Sequence, residues 1–242
     1  MSILHFGIRI QDKESNRINK NTYLSAKPEY MRGWREEHYP RQILKASLNY
    51  DMNMKFFESL DKKEFDAYIA KRIKKFKMQE CFDLNELAGV EGLYMLVLDD
   101  YKQVYIGISG DIKRRTQGHW RKQKSLERLI FGDVCNSVLS IDSFGPLDTT
   151  RIFYVKSDST YLLEEKVVKA FDPIYTLNRT AGGIGSTDTY TDTKATASMA
   201  VVAHHRKRNL TQYIDIEQLR KALTDEDFRF YLHRYPELRK ML

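Results

Sequence analysis

An arginine and a histidine stand four residues apart in a strongly basic segment. Residues 111–128 carry seven Lys or Arg side chains and only two acids. In a helix, Arg115 and His119 lie on one face, and Ile112 falls on nearly the same stripe. A purely structural helix rarely places arginine and histidine on the stripe that its apolar anchor begins. Since a guanidinium matches phosphate oxygens through paired hydrogen bonds, this face is a candidate phosphate site.

A glutamate projects from the apolar stripe of a later segment, residues 159–171, whose spacing predicts a helix. Glu164 precedes Val167 and Val168 by three and four residues, so it shares their face, whereas Glu165 turns further toward solvent. A carboxylate on an apolar face must be paired, protonated or bound to a cation. A hard divalent ion such as Mg²⁺ suits such a group.

Two short apolar segments, each with one tyrosine, precede the basic helix. Residues 92–98 and 103–109 are rich in Val, Ile, Leu and Tyr, which predicts a β-hairpin carrying Tyr94 and Tyr105. The helix that follows is predicted over residues 110–123. A single tyrosine in a strand is more often an ordinary packing residue. A functional role for Tyr94 or Tyr105 therefore depends on the other candidate site residues that accompany them.

The order of these residues resembles the signature of the GIY-YIG nuclease superfamily. Gly92-Leu93-Tyr94, ten intervening residues and Tyr105-Ile106-Gly107 look like the two triplets of that name. The resemblance continues through the next helix and covers about residues 90–186, roughly two-fifths of the chain. The positions that resemble the family's site residues are, in chain order, Tyr94, Tyr105, Arg115, His119, Glu164 and Asn178.

The resemblance implies an α+β fold, with a small three-stranded antiparallel sheet flanked by helices. Residues 90–186 would form this nuclease core. Residues 1–89 would be an N-terminal extension, mixed and then helical, that is a candidate for DNA contact. Residues 187–242 would be a helical C-terminal extension. The stretch 131–149 carries no assigned element and is interpreted as an insertion that shapes access to the substrate.

The activity that the resemblance implies is hydrolysis of DNA phosphodiester bonds with one divalent ion, Mg²⁺ or Mn²⁺, in each active site. Glu164 would bind the metal ion, and Arg115 would stabilise the negative charge of the transition state. A tyrosine would take a proton from the attacking water, and either Tyr94 or Tyr105 fits that part. His119 would bind phosphate or assist proton transfer, and Asn178 closes the motif.

Further residues near the core are candidates for phosphate or DNA contact. A glycine turn that feeds a basic helix can hold phosphate, because the first backbone N–H groups of a helix are free. Ser109 fits either this role or that of a helix cap. The candidates are Gly107, Ser109, Lys113, Arg114, Arg121 and Lys122.

Segments outside the predicted core give weaker signals. Residues 1–10 alternate loosely and predict one strand. Residues 54–79 predict a single amphipathic basic helix, with Asp61 and Glu64 at the spacing of a capping box. Residues 150–155 predict the third strand of the sheet.

Composition limits the function classes. The chain has 242 residues, with 40 Lys or Arg against 33 Asp or Glu, and its net charge of +7 favours a polyanionic partner. The N-terminal segment is too short and too polar for a signal peptide, and no apolar run is long enough for a membrane helix. The two cysteines show no pairing pattern. Together these features predict a cytoplasmic protein with reduced thiols and no membrane partner.

The leading hypothesis is therefore a metal-dependent DNA endonuclease of restriction, mobile-element or phage type. A homodimer would supply the two active sites that a double-strand break needs. The alternative is a non-catalytic DNA- or RNA-binding protein that retains the nuclease fold. A third hypothesis is an interaction protein whose basic surface meets an acidic partner.

Overall fold

The computed structural model of the protein describes residues 1–25, 39–121, 134, 137–158, 160–179 and 208–242. The strands in these residues are β1 (Ser2–His5), β2 (Ile8–Gln11), β3 (Gln79–Cys81), β4 (Gly92–Leu98), β5 (Gln103–Ser109) and β6 (Arg151–Lys156). The α-helices are α1 (Lys20–Leu24), α2 (Tyr39–Ser59), α3 (Lys62–Phe76), α4 (Ile112–Arg121), α5 (Thr160–Ala170), α6 (Ile216–Ala222) and α7 (Asp225–Arg234). The predicted α+β class is confirmed.

The central sheet has four antiparallel strands in the order β3-β6-β4-β5. The predicted hairpin is confirmed, since β4 and β5 pair along their whole length. The predicted third strand is confirmed as β6, on the other side of β4. The prediction of three strands is wrong, because β3 adds a fourth on the outer side of β6. β3 has three residues, of which Gln79 and Glu80 are exposed, so it shows no apolar run that would predict a strand.

Both faces of the sheet are covered, which explains why β4 is apolar throughout. All seven residues of β4 are buried. On one face its Leu93, Met95 and Val97 join a core cluster with buried residues of α3 and α5. On the other face, Tyr94, Leu96 and Leu98 join a larger cluster with residues of α2, α4 and the C-terminal helices. Each face of β4 is thus buried by a different set of helices.

Of the helix predicted within residues 54–79, the part that follows the cap at Asp61 is confirmed as α3, whereas the residues up to Ser59 belong to a separate helix, α2. The side chain of Asp61 accepts a hydrogen bond from the backbone N of Glu64 at 2.8 Å, so α3 starts at Lys62. The cap position was predicted correctly, but the preceding turns belong to α2. That helix starts near Pro40, and proline is tolerated in the first turn of a helix, where its missing N–H costs nothing.

The N-terminal segment forms a hairpin rather than the single predicted strand. β1 and β2 pair antiparallel through a turn at Phe6 and Gly7, both with positive φ (47° and 69°). At Gly7 a Cβ atom would lie 2.0 Å from the side chain of Asp83. Glycine therefore lets this turn pack closely against the loop before β4. The hairpin forms a separate two-stranded sheet.

The C-terminal helices pack on α2. Helix α6 and the 3₁₀ turn Leu210–Tyr213 contact α2, and Leu219 and Leu210 are fully buried there. Thr224 and Asp227 have the spacing of a helix start in the sequence, and this prediction is confirmed for α7, since Thr224 Oγ1 accepts from the backbone N of Asp227 at 3.0 Å. Among the described residues, no helix combines the length and the apolar character that a membrane span requires. The spacing of Leu126, Leu129 and Ile130 predicts a further short helix, which lies outside the described residues.

Candidate functional site

The free edge of the central sheet is closed by a short extended segment. The backbone N of Leu177 donates to the carbonyl of Val104 at 2.8 Å. The side chain of Asn178 then continues the pairing: it donates to the carbonyl of Ile106 at 2.7 Å and accepts from the N of Ile106 at 2.9 Å. Asn178, predicted as a catalytic residue, therefore uses its amide to hold the strand that carries Tyr105.

Gly107 makes room for a tyrosine. Tyr94 and Gly107 are paired across β4 and β5. A Cβ atom on Gly107 would lie 2.6 Å from the hydroxyl of Tyr94 and 2.7 Å from its Cζ, closer than packed atoms approach. The structural role of Gly107, predicted as a phosphate contact, is thus to let the Tyr94 ring lie across β5.

Helix α4 is fixed at its start by two side chains. Ser109 Oγ accepts from the backbone N of Asp111 at 3.0 Å, and Asp111 Oδ1 accepts from the N of Arg114 at 2.8 Å. The helix buries Ile112 and His119 and leaves Arg115 exposed. Ser109, a candidate for phosphate contact, serves here in the turn before the helix, which was its alternative role.

A buried row of hydrogen bonds connects β4, α4 and a later turn. The hydroxyl of Tyr94 lies 2.8 Å from Nε2 of His119, and Nδ1 of His119 bonds to the carboxylate of Asp142. Asp142 lies in the 3₁₀ turn Ile141–Ser143, within the stretch 131–149 that the sequence left unassigned. Asp142 was not predicted from the sequence, because its partner His119 is 23 residues away and no local sequence pattern indicates the contact.

A small cleft of about 140 Å³ collects most of the predicted site residues. Glu164 reaches it from α5, whose Val167 and Val168 are buried against the sheet. Tyr94 does not line the cleft and has no exposed surface, so it lies behind the wall. The residues that line the cleft include Tyr105, Arg115, His119, Asp142, Glu164, Asn178 and Arg179.

Burial sets the protonation of the two tyrosines. It raises the pKa of Tyr94 well above the usual value near 10, and the charge of Tyr105 adds to this effect, while the Arg115 guanidinium opposes it. Burial also raises the pKa of Tyr105 to about 12, again opposed by Arg115 and increased by the charge of Glu164. Burial acts to lower the pKa of Arg115, but the two tyrosines and Asp142 outweigh it and raise that pKa. Both phenols are therefore neutral at physiological pH, with a cation beside them.

Two further arginines near the cleft were not predicted as site residues. Arg179 lines the cleft, and its Nε and Nη2 donate to the carbonyl of Val138 at 3.0 and 2.8 Å. Arg208 is 2% exposed and donates to the carbonyl of Pro173 at 2.9 Å and to Oε1 of Gln103 at 2.6 Å. Burial lowers the pKa of Arg179 to about 10 and that of Arg208 to about 9.

In the sequence, residues 204–208 are two histidines followed by three basic residues, which favours a DNA-contact patch or a solvated helix end over a metal site. For Arg208 this interpretation is wrong, because its side chain is buried. Its guanidinium holds the 3₁₀ turn Pro173–Tyr175 against the start of β5. The remaining four residues of the patch lie outside the described part of the chain. A sequence of consecutive basic residues does not reveal which one is buried, because long-range contacts decide it.

A second, larger groove of about 370 Å³ lies between the N-terminal hairpin and α4. Arg9, Lys13 and Arg121 line it together with Gln117 and Trp120, and none of its described lining residues is acidic. We call this the hairpin groove. Of the other predicted DNA contacts, Lys113 and Arg114 lie on α4, where Arg114 is exposed, and Lys122 lies outside the described residues.

The donor atoms in the cleft limit the kind of metal site that fits. Within the described ranges, no three His, Cys, Asp or Glu side chains lie close enough together to hold a metal ion. Mg²⁺ is often bound by one or two carboxylates, with water and substrate phosphate filling the other positions. Two carboxylates line the cleft, Asp142, which is bonded to His119, and Glu164. Glu164 beside Arg115 fits this kind of site, and the donor set does not fit a metal ion held entirely by protein ligands.

Comparison with known proteins adds no relative. The chain matches no protein-family model, and neither a curated protein nor a solved structure matches it. The chemistry of the cleft is therefore the basis on which a function can be assigned.

Proposed function

We propose that the protein is a metal-dependent endonuclease of the GIY-YIG type, which hydrolyses phosphodiester bonds in DNA. The observation that supports this most is the convergence of Tyr105, Arg115 and Glu164 on one cleft from three different elements. Each residue alone has an ordinary structural explanation. A cation, a carboxylate and a tyrosine around a space of phosphate size form a set that suits phosphoryl transfer.

Arg115 has the clearest part in the proposed reaction. As water attacks phosphorus, a P–O bond forms, the bond to the 3′ oxygen breaks, and negative charge grows on the phosphoryl oxygens. The exposed guanidinium of Arg115 donates hydrogen bonds to these oxygens and stabilises the charge. Its raised pKa keeps it cationic throughout.

Tyr105 is the tyrosine that a water molecule in the cleft would meet, because Tyr94 is shielded behind the wall. Tyr105 would first lose its own proton to solvent, and its phenolate would then accept the proton of the attacking water, while the leaving 3′ oxygen takes a proton from solvent. With its pKa raised to about 12, Tyr105 needs added positive charge to work as a base. Arg115 supplies part of that charge, since it already lowers the pKa of Tyr105.

Glu164 would hold the divalent ion, Mg²⁺ or Mn²⁺. When bound, the ion would polarise the phosphate and bring further positive charge to the cleft. The negative charge of Glu164 raises the pKa of Tyr105, so without a cation this carboxylate opposes the role of the tyrosine. A cation bound at Glu164 would neutralise this charge, so that the carboxylate would no longer raise the pKa of Tyr105.

The hairpin groove is the proposed path for DNA beyond the cleft. Its three cations lie beside α4, the helix that carries Arg115 toward the cleft. Lys and Arg side chains that contact phosphates supply most of the affinity of non-specific DNA binding. A duplex whose scissile phosphate enters the cleft would thus place neighbouring phosphates along α4 and the hairpin.

The experiment that tests the proposed function is cleavage of DNA by the purified protein. With Mg²⁺ or Mn²⁺ we expect single- or double-strand cuts in plasmid DNA, and EDTA is expected to stop the reaction. Sequencing of the cut ends would give the position of cleavage and the chemistry of both termini. Binding of DNA without cleavage, across divalent ions and with both single- and double-stranded substrates, would instead support the non-catalytic alternative.

The hairpin groove gives a prediction about the salt dependence of DNA binding. The double variant Arg9→Ala/Lys13→Ala is expected to reduce the slope of log K against log salt by about 2, since each phosphate contact contributes about 0.9. Fluorescence anisotropy over a series of salt concentrations measures this slope. The control is Arg220→Ala/Lys221→Ala, an equal charge change at exposed positions of α6. Equal slopes for the two double variants would contradict a DNA path along the groove.

A further inference from the structure

Three buried side chains form one row of hydrogen bonds at the cleft, with His119 and Asp142 in its lining and Tyr94 behind them. Tyr94 is fully buried, and His119 and Asp142 are 3% and 7% exposed. The hydroxyl of Tyr94 lies 2.8 Å from Nε2 of His119, whose Nδ1 bonds to Asp142. Hydrogen bonds in such a water-poor setting are strong, and their direction matters because a mismatched donor or acceptor is costly.

With Asp142 ionised and His119 neutral, the chemistry of the row fixes the direction of each bond. An ionised carboxylate only accepts, so Nδ1 of His119 carries the proton that bonds to Asp142. Nε2 of the neutral ring is then an acceptor, and Tyr94 donates its hydroxyl proton to it. The lone pairs of the Tyr94 oxygen are left for other donors. The guanidinium of Arg115, in the lining of the same cleft, is the nearby donor, and its charge opposes the rise in the pKa of Tyr94.

We propose that Asp142 is a positioning residue that orients Arg115 through His119 and Tyr94. With Nδ1–H held by Asp142, Tyr94 offers its oxygen to Arg115 and helps to hold the guanidinium at the cleft. In the other tautomer, Nε2–H would donate to Tyr94 and compete with Arg115 for the same oxygen. The stretch 131–149 then has a defined task, because it supplies the carboxylate at the end of the row.

The effect on catalysis rests on the proposed nuclease function, but the tautomer of His119 does not. The first test is therefore ¹⁵N NMR of the histidine side chains in the metal-free protein. Wild type is expected to show His119 protonated at Nδ1. Asp142→Asn is expected to lose this preference, because the asparagine NH₂ can donate to Nδ1 and move the ring proton to Nε2. An unchanged His119 pattern in Asp142→Asn would overturn the proposal.

A matched control separates this effect from the loss of any half-buried carboxylate. Asp99 is also hydrogen-bonded, to Arg151 and Thr150, but it lies at the opposite end of the hairpin from Gly92 and Ser109. Asp99→Asn is expected to leave the His119 pattern as in wild type. A His119 change of equal size in Asp99→Asn would show a general loss of structure and would overturn the specific role of Asp142.

The second test asks whether Asp142 and Tyr94 act as one unit. Asp142→Asn and Tyr94→Phe are each expected to lower kcat by about 10²-fold with little change in KM, and the double variant is expected to lose no more than the larger single effect. Additive losses would overturn the proposal, since independent roles add. If Asp142→Asn does not fold, Tyr94→Phe still decides, because an unchanged kcat would overturn the link to Arg115.

A different role for Asp142, as a ligand of the metal ion, has a distinct outcome. Titration with Mn²⁺ followed by electron paramagnetic resonance measures metal affinity directly. Equal affinity in wild type and Asp142→Asn is expected from a positioning residue, and a clear loss of affinity would overturn the proposal. If wild type cuts no DNA at all, the proposed function fails, whereas the NMR result still tests how Asp142 holds His119.

Discussion

Glu164→Gln is expected to lower the rate of DNA cleavage by about 10³-fold, because metal-ion stabilisation of a phosphoryl transition state is worth several kcal/mol and each 1.36 kcal/mol is tenfold. Glutamine has nearly the same shape as glutamate but no charge, so it is a much weaker ligand for a hard cation. Affinity for DNA is expected to stay near that of wild type or to rise slightly, since a negative charge leaves the cleft. Single-turnover cleavage and anisotropy measure the two quantities separately.

The sign of one electrostatic effect makes this prediction decisive. The Glu164 charge raises the pKa of Tyr105, so its removal favours the ionised tyrosine and would, on its own, help catalysis. A strong loss of activity in Glu164→Gln therefore cannot come from Tyr105 and points to the lost metal ligand. An equal or higher rate would show that Glu164 is not needed for metal binding.

The neighbouring residue provides a matched control. Glu165 lies one position further along α5, pairs with Lys169 on the helix surface and does not line the cleft. Glu165→Gln is expected to cost at most about 0.5 kcal/mol of stability, as an exposed ion pair does, and to leave cleavage unchanged. Similar losses in both variants would indicate a general effect of charge rather than a site.

The sequence predicted the elements whose signals are local. Strands β4 and β5 were identified because each has seven residues that are mostly apolar. Helix α5 was identified because its apolar residues repeat at helical spacing, and α4 because Ser109 or Asp111 can cap a helix there. β3 was missed since it is short and mostly polar. The start of α2 was missed because a proline in a sequence is usually interpreted as a helix breaker, whereas Pro40 lies in the first turn of this helix. An element could be predicted when its own residues carry the apolar pattern or cap that stabilises it. An element was missed when its stability comes from contacts with other parts of the chain.

The same distinction applies to the site. Arg115 and Glu164 were found because a charge on an apolar stripe is visible in the sequence, and the structure brings both to one cleft. Asp142 and Arg208 were not found as buried site or support residues, because a partner far along the chain decides whether a polar side chain is buried. Asn178 was placed at the cleft correctly, but its bonds to the backbone of Ile106 depend on the edge of the sheet being open.

Arg115→Ala is expected to lower kcat by at least about 10³-fold, in the range found when an arginine that stabilises phosphoryl transfer is removed. Arg115→Lys keeps the charge but loses the planar pair of donors, so its loss is expected to be about tenfold smaller. Arg115→Ala also removes the cation that lowers the pKa of Tyr94 and Tyr105, so the phenols become harder to ionise in that variant. The effect of Arg115→Ala therefore combines weaker stabilisation of the phosphoryl charge with a weaker base.

The adjacent Arg114 shows whether the effect belongs to the cleft or to the basic surface. Arg114 is exposed at the start of α4 and does not line the cleft. Arg114→Ala is expected to weaken DNA binding and to reduce its salt slope by about 1 without lowering kcat at saturating DNA. The opposite result, in which Arg114→Ala lowers kcat as much as Arg115→Ala does, would remove Arg115 from the proposed mechanism. Because the two residues are adjacent on one helix and carry the same charge, only their different positions relative to the cleft can separate their effects.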